Sequence, residues 1–202
     1  MTVPPDNAPA ARAPPATPEE LFARLDAIGV VHATTRHRPV FTVAESADLK
    51  STMPGGHTKN LFLKDKKGAL FLLCAVADTA IDLNAVSRLL GAARLSFGSA
   101  ERLMQHLGVE PGSVTLFALI NDPRRDVTLL LDEALFAHNP VNFHPLRNDA
   151  TTAISPEGML AFVRSLGREP IRLAFDAAGQ PRRIEPGRTS AHLSSSSSED
   201  SA

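Results

Sequence analysis

The sequence contains no tyrosine, no tryptophan and only one cysteine. A single cysteine excludes an internal disulfide bond, and the residues around Cys74 are apolar, so we predict a small core residue without a catalytic role. A stacking surface for single-stranded nucleic acid would depend on the ten phenylalanines. Most of these lie in apolar runs and are interpreted as core residues.

Long apolar segments are also absent. No run approaches the roughly 20 apolar residues that a membrane-spanning helix needs, and the proline-rich start lacks the basic and apolar regions of a secretory signal. We therefore expect a soluble, cytoplasmic protein without a membrane partner. The net charge of −1 gives no general attraction to nucleic acid.

Several common catalytic motifs are missing too. The sequence has no G-x-G-x-x-G, no phosphate-binding G-K-S/T loop, no paired-cysteine zinc pattern, no H-E-x-x-H and no G-x-S-x-G. Each absence removes a large class of enzymes. Four side chains could still assemble a metal site, but their spacings match no standard pattern, and we predict neither a metal nor another cofactor. These side chains are His57, His138, His144 and Asp149.

The two ends of the chain differ in composition from its centre. Residues 1–17 are rich in proline and alanine, and residues 176–202 contain a serine run at 194–198. Neither composition can bury much apolar surface, so we predict a disordered lead-in and a disordered tail. Residues 18–175 are predicted to form one domain with a single core.

Within that domain, helical and strand-like patterns alternate. Caps, glycine stops and apolar spacing predict helices at residues 18–28, 43–52, 82–90, 99–107 and 156–166. Apolar or β-branched runs predict strands at residues 30–35, 60–64, 69–76, 95–97, 114–120, 127–131, 150–154 and 171–175. Two apparent hairpins, at 60–76 and 114–131, exclude a purely parallel sheet. The prediction is an α/β (mixed α+β) fold with a curved mixed sheet, antiparallel hairpins and flanking helices.

A polar quartet stands out between Pro54-Gly55-Gly56 and the apolar residues that begin at Leu61. His57, Thr58, Lys59 and Asn60 supply an imidazole, a hydroxyl, a cation and an amide, which together can hold a carbonyl, a phosphate or a sugar. We predict a loop at the mouth of a buried strand. The alternative interpretation is a loop whose polar groups are simply solvated.

All five lysines lie within residues 50–67. A local concentration of cations favours phosphate binding more than the total charge does. The alternative is a solvated hairpin face. The lysines are Lys50, Lys59, Lys64, Lys66 and Lys67.

Segments 54–65, 95–98, 108–115, 141–146 and 148–152 together resemble the freestanding prolyl-tRNA editing family. That family belongs to the superfamily of the YbaK-like proteins and of the editing domain inserted in bacterial prolyl-tRNA synthetase. The resemblance implies the superfamily's fold and a deacylase that removes alanine from mischarged tRNA(Pro) in trans, without metal, cofactor or acyl-enzyme. The implied partners are the tRNA acceptor end, prolyl-tRNA synthetase or other translation components, but not DNA.

The resemblance also implies the site residues. The implied catalytic residues are Lys59, Asn60 and His144. The implied substrate-binding residues are His57, Thr58, Gly112, Ser113, Val114, Thr115 and Leu116. In the family the loop at 112–116 is often written Gly-x-x-x-Pro, so the leucine here is a departure.

Ester hydrolysis needs a placed water and charge stabilisation more than a strong nucleophile. On this hypothesis Lys59 faces the phosphate or ester carbonyl, Asn60 the sugar or amino group, and His144 a water or the free ribose hydroxyl, while N–H groups of residues 112–115 point at the substrate. A core histidine is the alternative for His144. A size-selective pocket would have Leu116, Phe117 and Val43 in its wall.

Two other functions stay open at this point. The same reaction could act on a different amino acid, such as cysteine, serine or an analogue. The chain could also be a non-catalytic module that binds tRNA or the synthetase.

Overall fold

A computed structural model describes residues 13–39 and 53–185. The helix predicted at 43–52 lies outside these ranges. The four α-helices in them are α1 (Pro18–Ala27), α2 (Leu83–Leu90), α3 (Ala100–Leu107) and α4 (Pro156–Ser165). None of the helices in these two ranges combines the length and apolar character that a bilayer span requires.

The helices begin and end where the capping residues predict. Thr17 and Glu20 form a reciprocal capping box at the start of α1. Asp82 caps α2 by accepting from two backbone N–H groups, and Gly91 ends the helix with a φ of 64°. An N-cap satisfies N–H groups that have no partner inside the helix, so these cap residues determine where each short helix begins.

Nine strands follow one another in residues 13–39 and 53–185. They are β1 (His32–Arg36), β2 (Gly56–Lys64), β3 (Leu70–Val76), β4 (Ser96–Phe97), β5 (Val127–Asp132), β6 (Val141–Phe143), β7 (Ala150–Ile154), β8 (Ile171–Phe175) and β9 (Pro181–Arg183). Their order in the sheet is β1-β7-β6-β2-β3-β5-β8-β9, and β4 also pairs with β2. The β2–β6, β3–β5 and β5–β8 pairs are parallel, and the others are antiparallel. The predicted mixed sheet is confirmed.

Strand β3 shows why both faces of the sheet are apolar. Leu70, Leu72 and Cys74 enter a larger hydrophobic cluster that also contains Phe117 and Phe143. The residues between them on the opposite face, Phe71, Leu73 and Ala75, belong to a smaller cluster with Val86 of α2. Since neighbouring side chains of a strand point to opposite faces, a continuous apolar run is what a doubly covered strand requires. Cys74 is fully buried, as predicted.

The predicted strand at 114–120 is wrong. Residues Leu116–Asn121 form a 3-10 helix, and the Thr115 hydroxyl accepts the Phe117 N–H at its start. A short apolar run does not distinguish a strand from a buried helical turn, which explains the error. The second predicted hairpin is therefore absent from the described part of the chain, and β5 pairs in parallel with β3 instead.

The folded core also extends beyond the predicted boundary at residue 175. Strand β9 pairs antiparallel with β8, across a turn in which the Asp176 carboxylate accepts from the backbone N–H groups of Ala178 and Gln180. Two of its three residues are arginines, so β9 carries no apolar signal in the sequence. Residues 186–202, where the serine run lies, are outside the described ranges.

Candidate functional site

The glycine pair before β2 lets two chain segments approach closely. Gly55 has a φ of +96°, and a Cβ on it would lie 2.2 Å from the carbonyl oxygen of Pro140. A Cβ on Gly56 would lie 2.6 Å from the ring of His138. The Gly56 N–H donates to the Pro140 carbonyl over 2.8 Å. Residues with side chains would keep these segments apart, so the glycines allow β2 to start beside β6.

The polar quartet lies inside β2 and not in a loop, which corrects the predicted strand start at residue 60. Side chains therefore alternate between the two faces of the sheet. His57 and Lys59 lie on the same face of the sheet as Leu63, which belongs to the smaller cluster. Thr58 and Asn60 lie on the same face as Phe62, which belongs to the larger cluster. The four side chains flank one stretch of backbone and do not converge on a single point.

The parallel pairing of β2 with β6 brings His144 towards this stretch. His57 is in register with Asn142, and the Thr58 hydroxyl donates to the Asn142 carbonyl over 2.8 Å. His144 follows β6 directly. If the register is continued by two positions, His144 falls opposite Lys59. These two residues thus come from neighbouring strands, while their chemical roles stay predictions.

The ring of His144 is fixed by one hydrogen bond. Its Nδ1 lies 3.0 Å from the carbonyl oxygen of Ala150. A carbonyl oxygen can only accept, so Nδ1 carries the proton, and in the neutral ring Nε2 is the acceptor. Burial, and to a smaller extent nearby His37, lower the pKa of His144 below the ordinary value of 6.5. The neutral form with an accepting Nε2 therefore predominates at neutral pH.

Asn60 presents an acceptor of a different kind. Its Nδ2 donates to the Thr58 hydroxyl oxygen over 3.2 Å, because the proton of that hydroxyl is already given to Asn142. This chain of donors fixes which end of the amide is nitrogen. The other end, Oδ1, is buried and has no hydrogen-bond partner in the described part of the chain. A buried acceptor without a donor costs free energy, and a substrate N–H or O–H would remove that cost.

The amine of Lys59 is held by the loop that follows β3. It donates to the carbonyl oxygen of Thr79. The Thr79 hydroxyl in turn donates to a carboxylate oxygen of Asp132 over 2.6 Å, and the same oxygen accepts from the Val76 N–H. Since a backbone carbonyl is uncharged, it orients the ammonium without neutralising it.

The loop at 112–116 contributes less than predicted. Leu116 and Phe117 are fully buried in the larger cluster, where the Phe117 ring packs against the rings of Phe143 and Phe162. Neither side chain lines an open cavity, so their predicted place in a pocket wall is wrong. Val43, the third predicted wall residue, lies outside the described residues.

Part of the same loop remains accessible. Gly112 is exposed and Val114 is half-buried, whereas Ser113 and Thr115 are buried. The Ser113 N–H donates to the Glu110 carbonyl over 3.0 Å, so it does not point at a substrate as predicted. A Cβ on Gly112 would lie 3.6 Å from the amide nitrogen of Asn148. The loop therefore borders the segment that follows His144.

Three polar residues in the region of His144 were not among the predicted site residues: Asn142, His37 and Thr151. Asn142 is buried and donates to the Pro54 carbonyl over 2.9 Å. The ring of His37 lies 6.4 Å from that of His144, and its Nε2 is 2.9 Å from the Thr151 hydroxyl. Only the pairing of β1 with β7 brings His37 here. No spacing pattern in the sequence reports that pairing.

Other reactive groups are not arranged for chemistry. Burial raises the pKa of the Cys74 thiol, so the thiolate that would attack an ester is suppressed. No group of three metal-binding side chains occurs in residues 13–39 and 53–185. Arg147 forms an ion pair with Asp149. The hydrogen bond from Arg147 and, to a smaller extent, its positive charge lower the pKa of the Asp149 carboxyl group.

Comparison with known proteins identifies the class to which this fold and site belong. Residues 37–162 match the family model of the aminoacyl-tRNA editing domain, and the chain belongs to this family. The predicted resemblance to the prolyl-tRNA editing family is confirmed.

Among its relatives, the chain is 38% identical over 169 residues to the prolyl-tRNA synthetase associated domain-containing protein 1 of Danio rerio, covering 83% of this chain and 92% of the relative. It is 32% identical over 150 residues to the prolyl-tRNA editing protein ProX of Acetoanaerobium sticklandii, covering 74% and 92%. The fold matches the crystal structure of a candidate trans-editing enzyme for prolyl tRNA synthetase with a TM-score of 0.58, at 20% identity, over 77% of this chain and 94% of that one.

Proposed function

We propose that the protein is a trans-editing deacylase that hydrolyses the ester of alanyl-tRNA(Pro) by attack of water, without metal or acyl-enzyme. Its partners are the acceptor end of tRNA(Pro) and, as the source of the mischarged tRNA, prolyl-tRNA synthetase. Membership of the editing-domain family supports the reaction class. The observation that carries the proposal is the fixed imidazole of His144, with an accepting Nε2, directly after β6, which pairs with the strand of Lys59.

His144 is suited to orient a water or a ribose hydroxyl. Both donate a proton, and Nε2 can accept it. An aminoacyl ester is already activated, so a held water with a nearby base is sufficient for attack at the carbonyl carbon. The proton passes to Nε2 as the C–O bond forms, and it returns to the ribose oxygen as the ester bond breaks.

Asn60 is suited to hold the substrate. Asn60 lies on the opposite face of β2 from Lys59, so we place it against the sugar: the ribose hydroxyl is a donor, and Oδ1 is a buried acceptor without a hydrogen-bond partner among the described residues. A donor placed there makes the hydrogen bond that the buried oxygen lacks, so the contact favours binding.

Lys59 supplies positive charge where the reaction develops negative charge. The hydrogen bond to the Thr79 carbonyl orients its ammonium. In the proposed mechanism this charge acts on the developing oxyanion or on the terminal phosphate. Preorganised charge of this kind is worth about 100- to 1000-fold in rate.

Selectivity for alanine would follow from size. A synthetase pocket shaped for proline cannot strongly reject a smaller side chain, because a missing methylene is worth only about 1–3 kcal/mol. A second cavity that admits alanine and excludes proline corrects the error. Since Leu116 and Phe117 are buried in the core, Val43 is the remaining predicted wall residue.

A deacylation panel tests the proposal. Substoichiometric protein is incubated with tRNA(Pro) carrying alanine, cysteine, serine or proline, and the remaining ester is followed over time. We expect repeated release of alanine and resistance of prolyl-tRNA(Pro). Faster release of cysteine or serine would reassign the amino acid, whereas protection of every ester would identify a binding module instead of an enzyme.

A further inference from the structure

The turn between β2 and β3 carries an exposed group of cations outside the site. We define the cationic tip as Lys64, Lys66, Lys67 and Arg94. Lys66, Lys67 and Arg94 are exposed. Segments 64–68 and 91–98 contain these four cations and one carboxylate, that of Asp65. The tip therefore has a net positive charge although the whole chain does not.

Asp65 holds the tip together. One of its carboxylate oxygens accepts from the N–H groups of Lys67 and Ala69 over 2.8 and 2.9 Å, and the other accepts from Ala93 over 3.2 Å. The Ala93 contact joins the hairpin turn to the segment that carries Arg94. Burial opposes ionisation of Asp65, but these backbone donors lower its pKa below the ordinary value. The cations are thus fixed on one rigid corner.

An exposed aromatic side chain, that of Phe97, lies in the strand that pairs with the Lys64 end of β2. Phe97 is 63% exposed, and β4 pairs with the end of β2 so that Phe97 is in register with Leu63 and Ser96 with Lys64. Cations next to an exposed aromatic ring suit RNA, since the cations bind phosphates and the ring packs against a base or a sugar.

The distance from the tip to the site matches the shape of a tRNA end. Lys59 and Lys64 lie in one continuous strand, five residues apart, which corresponds to about 17 Å at roughly 3.4 Å per residue. The single-stranded 3′ end of tRNA has about four nucleotides, which span about 14 Å when stacked at roughly 3.4 Å each and more when unstacked. Lys59 and Lys64 lie on opposite faces of β2, so the two lengths compare only the span between site and tip, which an RNA end of this length can cover around the edge of the strand.

We infer that the cationic tip docks the acceptor-stem phosphates of the tRNA substrate. The inference rests on the proposed function for the identity of the RNA. On this inference Lys64, Lys66 and Lys67 contact the phosphate backbone of the RNA. Such contacts position the substrate and do not read its sequence.

The test measures binding of an uncharged tRNA(Pro) acceptor minihelix, so it does not depend on hydrolysis. The variant Lys66→Gln/Lys67→Gln removes two exposed charges and leaves the backbone contacts of Asp65 in place. Each phosphate contact contributes about 0.9 to the slope of log affinity against log salt, so we expect the slope to fall by about 2. Affinity at low salt should fall at least fivefold. Phe97→Ala should weaken binding about fivefold or more without changing the slope.

The matched control is Arg182→Gln/Arg183→Gln. It removes two exposed cations from β9, four strands away in the sheet order, and should leave the slope unchanged. An unchanged slope in the lysine variant, an equal loss in the control, or no measurable binding by the unmodified protein would each overturn the inference.

A second measurement separates this inference from the proposed function. For alanyl-tRNA(Pro), kcat/KM of the lysine variant should fall by the same factor as the affinity, whereas an alanyl ester of a CCA trinucleotide should react at the unmodified rate. If the tip binds the minihelix as expected but the unmodified protein releases no alanine, docking stands and the deacylase proposal fails. If the unmodified protein releases alanine but the lysine variant has the same salt slope as the unmodified protein, the deacylase proposal stands and docking at the tip fails.

Discussion

Residues 57–60 and the loop at 112–116 are both predicted to contact substrate, yet they differ in what they expose. In β2, every side chain of the quartet is half-buried, and Asn60 keeps a carbonyl oxygen without a protein donor. In the loop, Thr115 and Leu116 have no exposed surface. A family resemblance thus locates the region of a site, whereas burial decides which side chains in it can reach a ligand.

The contrast has a physical cause. In β2, His57, Thr58 and Lys59 bond to backbone carbonyls of neighbouring segments, so their side chains keep polar atoms at the edge of the core. The loop at 112–116 leads into a 3-10 helix whose apolar residues fill the larger cluster. We therefore expect mutations in the loop at 112–116 to lower stability, and mutations at residues 57–60 to lower activity.

The largest effect should come from the buried loop. Leu116→Ala should lower the free energy of unfolding by about 2–5 kcal/mol, because it deletes core contacts and leaves a cavity. Urea denaturation measures this, with Leu116→Met as the volume-conserving control, which should cost less than about 1.5 kcal/mol. The folded fraction should keep its kcat/KM for alanyl-tRNA(Pro). A stable Leu116→Ala variant that accepts larger amino acids would instead return Leu116 to the pocket wall.

Lys59 should show the converse. Lys59→Ala should reduce kcat/KM for alanyl-tRNA(Pro) by about 100- to 1000-fold, the range for removal of a preorganised donor to a developing oxyanion. Its free energy of unfolding should change less than that of Leu116→Ala, since Lys59 is half-buried whereas Leu116 lies in the core. Arg183→Ala is the exposed-cation control. Unchanged deacylation would remove the lysine from the mechanism.

Local features of this fold are readable from the sequence. Thr17, Asp82 and Ser155 cap helices as predicted, and Ser99, predicted as the first residue of its helix, is also a cap. Each cap is a contact within three residues. The hairpin of β2 and β3 is equally local, since a glycine turn joins two apolar runs.

Pairings between distant segments are not readable in this way. The parallel alignment of β2 with β6 depends on a close backbone approach at Gly55 and Gly56, and neither strand records its partner. The geometry of the site could not be predicted from the sequence for the same reason. Lys59 and His144 were found by resemblance, but the faces on which they lie follow from strand register, and His37 follows from the β1–β7 pairing.

His144 links the comparison to pH. Burial and His37 lower its pKa, so the neutral ring predominates above a midpoint that lies below 6.5. If the neutral Nε2 is the base, kcat/KM should be constant near pH 7 and should fall as the pH drops through that midpoint. His144→Ala should reduce kcat/KM about 100-fold and abolish this acid limb. His37→Gln should shift the limb slightly upward, because it removes a like charge. An acid limb retained in His144→Ala would assign it to another group.

The smallest effect tests the strand side of the comparison most directly. Asn60→Leu removes the unpartnered acceptor and replaces it with an apolar group of similar size. We expect kcat/KM to fall about tenfold, the equivalent of one lost hydrogen bond to substrate, while the free energy of unfolding changes by less than about 1 kcal/mol. The stability cost is small because the variant loses the weak bond to Thr58 but no longer buries an oxygen without a donor. Asn60→Asp keeps an acceptor and should retain more activity than the leucine variant. If both variants unfold readily and the folded fraction is fully active, Asn60 supports the sheet and takes no part in substrate binding.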